Sequence, residues 1–192
     1  INIIPLILGS ICALGNNPWA LWYLSFLSLT LWFSLVIVSD FPKKIFKETF
    51  KFGFGYFAIS LIWIVEPFLV EPWIHGWIAP IALIALPSFL ALIWALFAFL
   101  GHYYFSSIGV VIGLSLAEYC RLYLLTGFPW ATISYVLLDT KAEKWLSLLG
   151  PYGLSLLLLL TCFTIAFTLQ IRTKINTLSA IFSIFTLFFV PN

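Results

Sequence analysis

The chain has 192 residues, of which 63% are hydrophobic and only 8% charged, with a net charge of +2. A soluble domain carries roughly 25% charged residues, and a soluble core of this size would leave far too much surface to hide so much apolar material. The composition therefore reads as an integral membrane protein, and the small net charge without a basic stripe argues against a nucleic-acid partner.

Apolar runs fill nearly the whole sequence, and the charges fall in the gaps. The first run, Ile3 to Leu14, is shorter than the ~20 residues a span needs. It has neither the basic flank nor the cleavage site of a signal peptide, and it reads as a first helix lacking an N-terminal turn. Gly15, Asn16, Asn17 and Pro18 close it. A second span is expected from Trp19 to Ser39, then a charged connector from Asp40 to Lys51. A third span starts near Phe52 and meets Glu66-Pro67. Glu71, Pro72, His75 and Gly76 mark a loop, and a fourth span runs from Trp77 to Leu100 with Pro80 and Pro87 inside it, which neighbouring helices can tolerate. After a short connector, a fifth span from Ile108 to Leu125 carries Glu118 and Arg121. Thr126 to Lys144 is the longest segment between spans. Its first half is apolar but broken by Gly127 and Pro129, as in a re-entrant stretch. Trp145 to Leu169 and Leu178 to Val190 complete the set. The expected fold is an all-α polytopic transmembrane bundle of about seven spans with a re-entrant outer loop, in one membrane domain covering residues 1–192.

Alternating connectors place Lys43, Lys44, Lys47, Lys51, Arg172 and Lys174 on one side, against Lys141 and Lys144 on the other. The excess of basic residues marks the cytoplasmic side, which puts the N-terminus inside and the C-terminus outside. Trp and Tyr cluster near span ends, as rings at the headgroup level do. The three cysteines, Cys12, Cys120 and Cys162, lie within apolar runs and read as packing residues.

Three features carry polar chemistry. Glu118 and Arg121 are three residues apart and so share a helical face, and pairing lowers the penalty of a charge in lipid. They suit either a structural pair or a polar contact to a headgroup or a neighbouring loop. Arg121, one turn from the outer end, can also snorkel. In Thr126-Gly127-Phe128-Pro129-Trp130, Pro129 holds Phe128 extended and sets Trp130 at the outer surface, either as a functional loop or as an ordinary interfacial turn. Glu66, Glu71 and His75 are too few and too loosely spaced for a metal site, and no motif for a metal or other cofactor stands out.

Ala117-Glu-Tyr-Cys-Arg121, Thr126-Gly-Phe-Pro-Trp130 and Gly150-Pro-Tyr-Gly-Leu-Ser155, in this order, resemble the apolipoprotein N-acyltransferase family. Lys51-Phe-Gly-Phe-Gly-Tyr-Phe57 leading to Trp63 resembles its third span, and Asn17-Pro18-Trp19 through Ser28 its second. The resemblance implies a bacterial inner-membrane protein. Enzymes of this family move an acyl chain from phospholipid onto an enzyme cysteine, then onto the N-terminal cysteine of a lipoprotein. They do this with a Glu, Lys and Cys set in a nitrilase-like periplasmic domain, a set in which base, oxyanion donor and nucleophile are complete. That domain follows the seventh span in the family and is not among these residues, so this chain is expected to supply membrane anchoring and lipid access and no catalytic residue. Trp63, Glu118, Arg121, Phe128 and Trp130 are the expected positioning residues, and phospholipid, lipoprotein and a periplasmic nitrilase-like domain the expected partners. The rival readings are a small transporter, an assembly scaffold, or a membrane anchor reused beside a different catalytic domain.

Overall fold

A chain in lipid must satisfy its backbone polar groups internally, and helices do this within each segment. The computed structural model describes residues 2–124, 127, 129–171 and 173–189, without the side chain of Lys174, and among these it is all-α. The elements are α1 (Ile4–Ala13), α2 (Trp22–Ile37), α3 (Pro42–Ser60), α4 (79–104), α5 (107–120), α6 (Trp145–Gln170) and α7 (Lys174–Phe188). By length and composition, Pro72–Cys120 and Lys141–Gln170 can cross a membrane. Pro42–Ser60 with Ile62–Leu69, bent by 45°, makes a third candidate if it is one broken span, and α1, α2 and α7 are shorter apolar helices.

α4 and α5 form a helical hairpin. Phe105 and Ser106 leave helical geometry, Ser106 with a φ of 55°, and the chain reverses there. Gly101 and Gly109 then face each other so closely that a Cβ on either would collide with the carbonyl of the other. One step further along, Gly113 lies against the carbonyl of Phe97. Lipid tails are as apolar as leucine, so helices in a bilayer associate through close packing of small residues and through polar contacts. The same device brings α1 onto α3, where Gly9 abuts the backbone of Phe52 and Gly55 that of Leu6.

α3 packs between α1 and the hairpin; α2 joins α1 to α6, and the hairpin closes the ring against α6. The centre is aromatic. Trp32 stacks on Phe52 at 4.7 Å, and Trp94 meets Tyr56 at 5.4 Å and Phe57 at 4.6 Å between centroids. Such pairs add ~0.5–1.5 kcal/mol each beyond their buried area. Several hydroxyls inside the bundle bond back to their own helix: Thr30 donates to Phe26 O, Ser115 to Val111 O and Thr161 to Leu157 O. α7 lies on the outer side of α6, held by Thr164 with Ser183, by Thr168 donating to Asn176 O and by Trp145 donating to Thr186 O.

One segment differs from the sequence expectation. The charged stretch after Asp40 is helical from Pro42 onward, because proline suits a first helical turn and the lysines line the outer side while Ile45 and Thr49 are buried. The segment after α5 folds back over the bundle, with short 3-10 turns at Ile133–Leu137 and Lys141–Lys144. Ile133, Val136 and Leu137 are buried there. The two ends of the bundle are chemically distinct: Lys43 to Lys51 mark one, and the C-terminus of α5 with this folded-back segment marks the other.

Candidate functional site

α5 ends at Cys120, and the Arg121 amide still donates to Ala117 O. Helical geometry therefore continues just far enough to put Glu118 and Arg121 on one face. Both are 2% exposed, so Arg121 points into the protein and does not snorkel. One Glu118 carboxylate oxygen accepts from the indole Nε1 of Trp94 (2.8 Å) and from Arg121 Nη1. The other accepts from the backbone amide of Ile133 (3.1 Å). Arg121 Nη2 donates to the carbonyl of Trp130, and the guanidinium lies 5.0 Å from the centre of the Phe57 ring.

Both charges of the pair thus bond to the loop, Arg121 at residue 130 and Glu118 at residue 133. Between those anchors the backbone is strained. Ala131 has a φ of 53°, a left-handed conformation that disfavours a residue with a Cβ by about 1–2 kcal/mol. Thr132 Oγ1 donates to Pro129 O at 2.7 Å and tightens the same turn. A buried ion pair adds little net stability unless its remaining lone pairs and protons are met. Here the carboxylate takes three donors, and the guanidinium has a carboxylate, a carbonyl and a ring.

Of the two sequence readings of this pair, the geometry gives a structural pair that also holds a neighbouring loop. The loop displays Trp130 at the surface, 55% exposed, with its ring 5.7 Å from that of Trp63, itself 43% exposed, and tilted by 63°. Tyr119, next to Glu118 on α5, is edge-on to Tyr123 and Tyr152. Trp63, Glu118, Arg121 and Trp130 are therefore brought together, whereas Phe128 lies outside the described residues, as does Thr126. Trp94 and Phe57 belong to the same cluster and were not singled out from sequence. A tryptophan inside an aliphatic span carries an N–H that lipid cannot satisfy, and that was the available signal for Trp94.

The other polar candidates stay apart. His75 is 3.9 Å from Glu71 across the exposed helical turn Pro72–His75, while His102, at the far end of α4, has Nε2 3.0 Å from Ser39 O. Among the described residues no three His, Cys, Asp or Glu side chains form a metal-binding group. Cys12 and Cys162 are buried within the helix packing and Cys120 is half-buried; all three are free thiols.

Comparison with known proteins gives these residues a context. The family described as the apolipoprotein N-acyltransferase N-terminal domain matches residues 8–164, well over half of the chain. An apolipoprotein N-acyltransferase of Rhodopseudomonas palustris is 31% identical over 166 residues, covering 81% of this chain but 31% of its own length. That of Brucella suis is 35% identical over 117 residues, or 58% of this chain and 22% of the relative. That of Sinorhizobium fredii is 39% identical over 90 residues, 44% of this chain and 17% of the relative. The chain thus aligns with less than a third of the length of these relatives. With the family match running from α1 into α6 and taking in the whole Glu118–Arg121 cluster, this chain belongs to the apolipoprotein N-acyltransferase family, as its N-terminal domain.

Proposed function

We propose that these residues form one membrane domain, residues 1–192, of a lipoprotein-modifying acyltransferase in the bacterial inner membrane. The domain admits phospholipid and the diacylated lipoprotein laterally and holds them beside a periplasmic nitrilase-like catalytic domain. The observation that carries this reading is the clamp. Two buried charges pin a strained loop so that Trp130 and Trp63 form a fixed, half-exposed indole pair at the end of the bundle opposite Lys43 to Lys51. Large aromatic rings with one polar edge suit the boundary between acyl chains and headgroups. In this role Glu118 and Arg121 are positioning residues acting through the loop. Trp63 and Trp130 touch the lipid or lipopeptide, and Phe128 joins them on the strength of the loop motif it shares with the family.

The test replaces Trp63 or Trp130 by the photo-crosslinker benzoylphenylalanine in vesicles containing a biotinylated diacylated lipopeptide. Both positions are expected to give adducts several-fold above the same replacement at Tyr103, near the bend between α4 and α5. Equal labelling at all three positions rejects the proposal.

The same reading places the N-terminus in the cytoplasm and the C-terminus in the periplasm. In a cysteine-free background, Trp73→Cys should react with an impermeant maleimide added outside the inner membrane, and Lys44→Cys only after permeabilisation. Reaction of both from outside would mean that an odd number of crossings has been miscounted.

A further inference from the structure

At the opposite end from the clamp, a groove of about 330 Å³ opens between the start of α3 and the end of α4, lined by Lys43, Phe46, Lys47, Leu96 and Phe99. Phe46 and Phe99 meet edge to face, 6.5 Å apart, and form part of its floor. Lys43 and Lys47 are one turn apart on α3, so their ammonium groups overhang the same side. Both are exposed. Among the described residues neither has a carboxylate within ion-pair distance, whereas nearby Glu48 is taken by Lys51 at 3.3 Å. Below the lysines the wall continues along α4 through Leu96 and then Leu92, both exposed and four residues apart. Two uncompensated cations thus sit at the mouth of an apolar trough that runs along a membrane helix.

We propose that this groove binds an anionic glycerophospholipid, with its phosphate between Lys43 and Lys47 and one acyl chain along Phe99, Leu96 and Leu92. The charge selects the occupant. A headgroup of net negative charge gains from both lysines, whereas a zwitterionic ethanolamine headgroup brings its own ammonium toward them. A soluble phosphate ester would use the lysines and leave the trough uncovered. The site lies across the bilayer from the indole pair and is independent of the acyl-transfer reading.

The test titrates the purified chain in detergent with dioleoylphosphatidylglycerol or dioleoylphosphatidylethanolamine and measures lipid adducts by native mass spectrometry. The phosphatidylglycerol adduct should dominate. Lys43→Ala or Lys47→Ala should each weaken it about five-fold, the effect of one cation near a headgroup. Lys44→Ala, which removes an equal charge beside the groove, should change it less than about two-fold. Leu96→Trp, which fills the trough and leaves the lysines in place, should abolish the adduct while the protein still elutes as a single monodisperse peak. Equal loss with Lys44→Ala, equal binding of the two lipids, full adduct on Leu96→Trp, or displacement of the lipid by millimolar glycerol 3-phosphate would each overturn the site.

Discussion

Replacing Arg121 by Leu is expected to destabilise the bundle by about 3–5 kcal/mol, the loss typical when one member of a buried ion pair is removed. Glu118 would lose its cationic partner in a site 2% exposed, and the carbonyl of Trp130 would lose its donor. Glu118→Gln is expected to be similarly severe. With its oxygen toward Trp94 and Arg121 the amide can still accept from both, but its N–H groups then face the Ile133 amide, and the guanidinium charge is left uncompensated. The double variant should recover part of the loss, because no buried charge then remains. Recovery will be incomplete, since the freed carbonyl still costs about 1–3 kcal/mol. Thermal unfolding in detergent, followed by tryptophan fluorescence and the fraction eluting as a monodisperse peak, measures the series. If the single losses add in the double variant to within ~0.5 kcal/mol, the two side chains are not coupled. Limited proteolysis should also show faster cleavage near residue 131 in each single variant, because the strained turn has lost an anchor.

Gly109→Val is expected to be the other large effect. A Cβ at residue 109 would overlap the carbonyl of Gly101 and press on the side chain of Phe105. The first obstacle is backbone, which no rotamer change can move. Overpacking a well-packed core costs ~1–3 kcal/mol when side chains can shift, and this site should reach or exceed the upper end. The α4–α5 contact would open, and Trp94 would be drawn away from Glu118, to which it is joined by a 2.8 Å hydrogen bond. Gly76→Val is the matched control: its added Cβ meets only Pro72 at 3.7 Å. Wild-type-like unfolding of Gly109→Val would show that the hairpin can repack without its glycine contact.

The sequence made the number and order of the helices legible because lipid imposes a simple rule, a long apolar run bounded by charge, Gly or Pro. The i,i+3 spacing of Glu118 and Arg121 revealed a shared face, whereas the stretch from Thr126 to Trp130 read either as a functional loop or as an ordinary interfacial turn. What joins them was less visible. The Ile133 amide and the Trp130 carbonyl are backbone groups, and no residue type advertises them. Trp94 reaches Glu118 across 24 positions, which local periodicity cannot register. The early start of α3 was missed because four lysines and a glutamate looked like a solvated connector, although Ile45 and Thr49 keep a buried stripe through them. Nothing in the sequence marked Gly101 and Gly109 as a contacting pair; their role appears only once the chain reverses between them.

The hairpin bend also bears on biogenesis. Residues 101–107 contain no Lys or Arg, so α4 and α5 reach the membrane without a charge at their turn to set a direction of insertion. The nearest cations upstream are those of α3, and α3 touches the hairpin along Gly53, where Ala91 stands 3.2 Å from where a Cβ would be. A hairpin that is electrically silent at its tip takes its sense from the neighbour it docks against. Under the positive-inside rule, the lysines of α3 are then the nearest upstream cations that could set the sense of all three helices.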